Sequence, residues 1–399
     1  MRVKELDGLR GIAVLSVICV HYFDWFPLPA LRHGWFANLL LMPVRFILLL
    51  PRSGALGVML FFVLSGYLIT TILLNLRNKE HYFGVFYARR AFRILPPYLL
   101  GMMVYIGSSF ALGKPGSWGL WLRYIFYYSS LLPNQPRELS AHPPLVPAAV
   151  FGGLLVLWSL SVEELYYTFW APVVRYVSEK ELALLIATMI IMAPPLRYLL
   201  NTPLHDNEWH SFYCNMDGLA CGSAVALLMR ARGLNPAKWL RTEKLFDRLC
   251  VAMVASTVVF YVLGNYGLIG SRLVFALGLL LANLSFALIV YRVLRNSGRE
   301  QLWLRSLRAP WLRSVGKVSY SLYLFHLASL LFVQSLLSHL PGERHVTFLL
   351  SLLLGLLLSF GVAYGLWYAL ESPILNWKDR LVPSSSPEFA LNMQKSVDR

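Results

Sequence analysis

Residues 54–75 read GALGVMLFFVLSGYLITTILLN, an apolar run with no charged side chain. A helix needs about 20 such residues to cross the hydrocarbon core of a bilayer, so this stretch reads as a membrane span. Working outward from it, further spans are expected at about 9–26, 91–112, 148–174, 182–200, 211–230, 249–268, 272–292, 316–339 and 346–370. The fold class that follows is an all-α polytopic membrane protein with about ten transmembrane helices. Gly, Pro and Ser inside several spans do not argue against it, because membrane helices tolerate them better than soluble ones. Two other apolar stretches fall short. Pro43 and Arg45 interrupt residues 35–50, and residues 118–132 are short and carry Arg123. Both are expected to be interfacial or re-entrant.

Composition agrees. The 399-residue chain is 57% hydrophobic, 14% aromatic and 14% charged, with mean hydropathy +0.57. A soluble domain carries about a quarter charged residues. A disordered chain would lack the aromatics. A soluble nucleic-acid binder would match the net charge of +16 but not the apolar content, so no nucleic-acid partner is expected. Cys19, Cys214, Cys221 and Cys250 are too few for a disulfide scaffold and show no metal spacing.

The charge reports orientation instead. With the N-terminus in the cytoplasm, 27 of the Lys and Arg residues fall on inside segments and 9 on outside ones. That asymmetry follows the positive-inside rule and places both termini in the cytoplasm. The first helix has a mixed-charge start and no small-residue cleavage site, so it is expected to be retained rather than cleaved as a signal peptide. Residues 1–377 are expected to form one transmembrane domain. Residues 378–399 read as a short cytoplasmic tail, polar, Pro- and Ser-containing and expected to be disordered.

Ionisable groups at membrane depth are costly and mark candidate sites. Arg10 and His21 are 11 residues apart, about 1100° of helix, or three turns plus about 20°. They share one helix face, about 16 Å apart along the axis, with Arg10 at the inner rim and His21 deep. A snorkelling Arg with an interfacial His is the blander alternative. In Trp158-Ser159-Leu160-Ser161-Val162-Glu163-Glu164, two adjacent carboxylates point about 100° apart, so one is expected to face a polar cavity. A structural ion pair with an Arg is the alternative. Asp217 is either a cavity residue or a helix start, and Gly218 and Gly222 beside it read as helix packing. Ser319-Tyr320-Ser321-Leu322-Tyr323-Leu324-Phe325-His326 brings a second His into the membrane, as a cavity residue or a satisfied structural one. Arg89, Arg90 and Arg93 open the third span. At i+3 and i+4 their guanidiniums suit phosphate, with lipid headgroups as the alternative. His205, Asp206, Glu208 and His210 lack metal-ligand spacing, so no metal is expected.

Taken together, these residues suit a long anionic donor entering from the cytoplasm with its reactive end at His21. Histidine is suited to take a proton from a hydroxyl near neutral pH.

The chain resembles the membrane-bound acyltransferase 3 family. The likeness rests on Glu5-Leu6-Asp7-Gly8-Leu9-Arg10-Gly11-Ile12-Ala13, a basic residue followed by ten residues and His (Arg10 and His21), and Phe61-Phe62-Val63-Leu64-Ser65-Gly66-Tyr67-Leu68-Ile69. It continues through the Arg89 to Pro96 stretch, the Trp158 and Ser319 blocks, and Glu371-Ser372-Pro373. The resemblance implies an integral-membrane O-acyltransferase of the bacterial cytoplasmic membrane. Its donor would be cytoplasmic acyl-CoA, with acetyl the family's commonest cargo, and its acceptor a carbohydrate or glycolipid hydroxyl. It implies His21 as the catalytic His, with Glu163 at the position the family usually keeps. Arg10, Arg89, Arg90 and Arg93 would bind the donor, and Glu163 or Asp217 would orient the imidazole or the acceptor. Trp158, Ser161, Asp217, Tyr320 and His326 are expected to line the substrate cavity. Two departures are Leu157, where many members have His, and Leu165-Tyr166-Tyr167, where Gln-Phe-Tyr is usual. The extracytoplasmic esterase-like domain of some members is not expected. The competing reading is a transporter or exporter of a lipid-linked glycan, which would use discontinuous helices paired between two halves.

Overall fold

The computed structural model describes residues 3–23, 56–131, 147–200, 210–231, 243–265, 271–339 and 344–381. Its elements are helices, with no strand among the described residues. In chain order they are α1 (Lys4–Phe23), α2 (Leu56–Leu76), α3 (Tyr82–Ala111), α4 (Trp118–Ile125), α5 (Ala148–Leu155), α6 (Leu157–Tyr176), α7 (Glu179–Leu200) and α8 (Phe212–Arg230). There follow α9 (Glu243–Asn265), α10 (Leu279–Asn296), α11 (Leu302–Leu307), α12 (Pro310–Lys317), α13 (Ser319–Leu337), α14 (Arg344–Leu366) and α15 (Ser372–Leu381). π-helical turns at Val274–Gly278 and Trp367–Glu371 lead into α10 and join α14 to α15.

Eight of these segments are long and apolar enough to cross a membrane. The α1 and α9 helices lie at two further expected spans, and α9 contributes the shorter apolar stretch Cys250–Phe260. The polarity is arranged as a bilayer requires. Leu99, Met103 and Phe110 of α3 and Leu349, Leu353 and Leu357 of α14 are exposed, whereas Ser161, Asp217 and His326 are buried. The outer faces meet lipid, and the polar groups find partners inside.

The structure departs from the expected boundaries in two places. The third span begins at Tyr82 rather than near 91, so Arg89, Arg90 and Arg93 lie two to three turns inside a helix of 30 residues. At 1.5 Å per residue it spans about 45 Å, well beyond the hydrocarbon core, and its first turns carry the arginines. The fourth expected span is broken at Val156, which ends α5 and precedes α6. The short piece after residue 118 is α4, eight residues capped by Ser117, whose hydroxyl accepts from the Leu120 amide at 3.1 Å. It is too short to span. The expected interfacial stretch 35–50, the loop residues His205, Asp206 and Glu208, and the tail beyond 381 lie outside the described residues.

Close packing of α2 and α8 sets the middle of the molecule. A Cβ on Gly66 would fall on the Leu219 carbonyl, and one on Gly222 on the Val63 carbonyl. Backbones this near admit only glycine, which accounts for the small residues read from the sequence. Around this crossing, α1, α3, α6 and α13 contribute the side chains of the candidate site.

Candidate active site

A pocket of about 100 Å³ opens between α1, α2, α3, α6 and α13. Of the sequence-predicted residues, Arg10, Arg90, Arg93, Glu163 and Tyr320 line it, together with Ser65, Ser159 and Tyr323.

Glu163 is held from three sides. Ser65 Oγ and Tyr167 Oη donate to its two carboxylate oxygens, each at 2.9 Å, and Arg90 Nη2 stands 3.7 Å away. The same Arg90 nitrogen lies 3.1 Å from Glu164, and the guanidinium covers the Tyr167 ring at 3.5 Å from its centroid. The two carboxylates are thus shared by one arginine from α3, with Glu163 facing the pocket. Arg90 lines the pocket with its charge balanced by two carboxylates, and cation–π contact fixes its plane. Arg89 is absent from the pocket lining, whereas Arg10 and Arg93 belong to it.

Tyr323 lines the pocket. Its hydroxyl lies 2.6 Å from Ser159 Oγ and donates to the Val156 carbonyl at 3.1 Å. Val156 is the helix break, which exposes a carbonyl to side chains of α6 and α13. The backbone carbonyl of Tyr323 in turn stands 2.7 Å from Nδ1 of His326. The Nε2 of His326 is 2.9 Å from Nδ1 of His21. The histidine of α1 therefore meets the buried histidine of α13.

Three other residues are placed elsewhere than expected. Asp217 forms a fully buried ion pair with Arg197 of α7. Arg197 also donates to the Cys214 carbonyl at 2.5 Å and the Ala276 carbonyl at 2.8 Å, the latter in the π-helical turn before α10. Asp217 thus pins three helices together and stays out of the pocket. Ser161 bonds to the Tyr127 carbonyl and, at 2.9 Å, to Ser130 Oγ, so it anchors the segment after α4. Trp158 packs edge-on to Phe62 and His210, outside the pocket lining.

Sequence reasoning did not single out Arg197 or Tyr323, and Glu371 entered it only within the Glu371-Ser372-Pro373 block. The Glu371 carboxylate, in the second π-helical turn, accepts from Ser321 Oγ at 2.6 Å. A π-helical turn in an otherwise regular helix often marks function, but nothing in the sequence announces one. No group of His, Cys, Asp and Glu able to hold a metal occurs among the described residues.

The helical bundle thus combines a polar, arginine-lined pocket with a histidine pair joined to it through Tyr323. The family model described as an acyltransferase domain matches residues 3–368, and the chain belongs to this acyltransferase 3 family. It is 27% identical over 81% of its length to YrhL of Bacillus subtilis (strain 168), provisionally named a peptidoglycan O-acetyltransferase, covering 48% of that protein. It is 28% identical over 42% of its length to the peptidoglycan O-acetyltransferase OatA of Listeria monocytogenes, covering 23% of it. It is 25% identical over 84% of its length to SACOL0978 of Staphylococcus aureus (strain COL), provisionally named an O-acetyltransferase, covering 51% of it. The chain spans about half the length of these relatives or less. No solved structure matches it.

Proposed function

We propose that the protein is an integral-membrane O-acyltransferase that moves an acyl group, acetyl by preference, from cytoplasmic acyl-CoA to a hydroxyl of a glycan. The observation that carries this is the layout along α1. Arg10 lines the pocket at one end, and His21, about 16 Å further along the same helix face, pairs with His326. Arg10 and Arg93 would meet the donor's phosphates, and a pantetheine-type arm has the length to carry a thioester from there towards His21. The names of the relatives point to peptidoglycan as the class of acceptor, and an inner-membrane location with both termini in the cytoplasm agrees with the Lys and Arg distribution.

In this reading the hydroxyl oxygen of the acceptor forms a bond to the thioester carbonyl carbon, and the carbon–sulfur bond breaks. His21 takes the hydroxyl proton and returns it to the departing thiolate, so no proton is gained or lost overall. Glu163, fixed by Ser65, Tyr167 and Arg90, presents a carboxylate in the pocket and is assigned to orienting the substrates. Mass spectrometry of cell-envelope glycans with and without the gene tests the proposal. Loss of an acyl-sized mass from the glycan agrees with it. Unaltered glycan accumulating inside the cell would contradict it and favour export.

A further inference from the structure

The histidine pair carries an assignment of hydrogens. His326 is fully buried, with Nδ1 at 2.7 Å from the Tyr323 carbonyl oxygen and Nε2 at 2.9 Å from Nδ1 of His21. A carbonyl oxygen only accepts, so Nδ1 of His326 carries its hydrogen. The two facing ring nitrogens share one more. A cationic His326 would place a charge in a buried site, where its ring nitrogens meet a carbonyl and a second imidazole rather than a carboxylate. The neutral ring leaves a lone pair on Nε2 of His326, so the shared hydrogen belongs to Nδ1 of His21. Nε2 is then the basic nitrogen of His21.

The backbone around the pair is tied as well. The carbonyl of His326 accepts from Ser359 Oγ at 3.3 Å and Tyr22 Oη at 3.5 Å, and those two hydroxyls are 3.1 Å apart. Tyr22 follows His21 on α1 and Ser359 lies on α14, so three helices fix the approach of one ring to the other.

We propose that His326 is a positioning residue, which accepts the Nδ1 hydrogen of His21 and holds that imidazole in the one tautomer whose Nε2 can take the acceptor's proton. The proposal rests on the reading of His21 as the base. When His21 becomes cationic, its bond to His326 becomes charge-assisted and strengthens. The role is that of the third, orienting group in nucleophile–base systems, filled here by a neutral ring rather than a carboxylate.

The test uses the full chain in bilayers, with ¹⁵N-labelled histidine and two variants. In the wild type, nitrogen NMR is expected to show His21 protonated at Nδ1. In His326→Phe that signal is expected to shift to the Nε2-protonated form preferred by free imidazole. His326→Gln retains an acceptor oxygen near the Nε2 position and is expected to keep the wild-type tautomer. With acyl-CoA as donor, His326→Phe is expected to lower kcat about 10²- to 10⁴-fold with KM little changed. His326→Gln is expected to recover at least tenfold of that loss.

An Nε2-protonated His21 in the wild type, or equal activity and tautomer in the Phe and Gln variants, overturns the proposal. If the Phe variant does not fold, the wild-type and Gln spectra still decide. His21→Ala inactive beside a fully active His326→Phe overturns the positioning role alone. A fully active His21→Ala overturns the reading beneath it.

Discussion

The phenol of Tyr323, one turn before His326, stands 2.6 Å from the hydroxyl of Ser159, and both residues line the pocket. A single residue thus lines the pocket with its side chain and meets the buried histidine with its carbonyl. Tyr323→Ala is expected to widen the pocket and raise acyl-CoA hydrolysis in the absence of acceptor several-fold, read as thiol release. Tyr323→Phe keeps the ring, loses a hydrogen bond of about 1 kcal/mol, and is expected to leak little. Equal thiol release from the two variants would contradict the role given to the ring.

Arg10 and Arg93 line the pocket and are assigned to phosphate recognition in the proposed reading. Replacing either with Ala is expected to raise KM for acyl-CoA about ten- to a hundredfold, the worth of one charged hydrogen bond, with kcat nearly unchanged. Steady-state kinetics with acyl-CoA, and with an acyl-pantetheine that lacks the nucleotide phosphates, separates the two parameters. The shorter donor is expected to be indifferent to both substitutions.

Arg90 behaves differently, because Glu164 and Glu163 share its charge and Tyr167 stacks on it. Arg90→Ala leaves two buried carboxylates in the bundle. It is expected to cost stability and to lower kcat rather than to raise the donor KM alone, measured by melting in detergent alongside kinetics.

The buried pair Arg197–Asp217 predicts a stability effect without a catalytic one. Asp217→Ala or Arg197→Ala alone is expected to destabilise the protein by about 3–5 kcal/mol, since each leaves a buried charge uncompensated. The double variant Arg197→Met/Asp217→Leu is expected to recover most of the loss, with KM and kcat of the folded fraction near the wild type. Thermal melting of the purified variants measures this.

Much of the bundle was legible because a 20-residue apolar run matches the thickness of a bilayer, and because 11 residues return a helix to nearly the same face. Arg10 and His21 could therefore be placed on one line from spacing alone. The pairing of His21 with His326 could not, since it joins residues 305 apart in the chain, and no periodicity records which face of one helix meets which face of another. Arg197 was hidden for a related reason. It follows Pro194 and Pro195 near the end of its span and reads as an outside charge, yet the helix continues to Leu200 and buries it. The break at Val156 lies inside a continuous apolar run, where hydropathy carries no mark of it. Asp217 is unusual at membrane depth and Ser161 was expected in the cavity, but composition cannot distinguish a polar group that waits for substrate from one already satisfied by the protein.

The most direct measurement of the central claim is ester formation by this chain in bilayer vesicles, given radiolabelled acetyl-CoA and a glycan fragment with free hydroxyls. The wild type is compared with His21→Ala at equal folded protein. The account predicts O-acetyl glycan from the wild type and a loss of about 10²-fold or more in His21→Ala, without loss of acetyl-CoA binding. Ester formation by His21→Ala at the wild-type rate would contradict it.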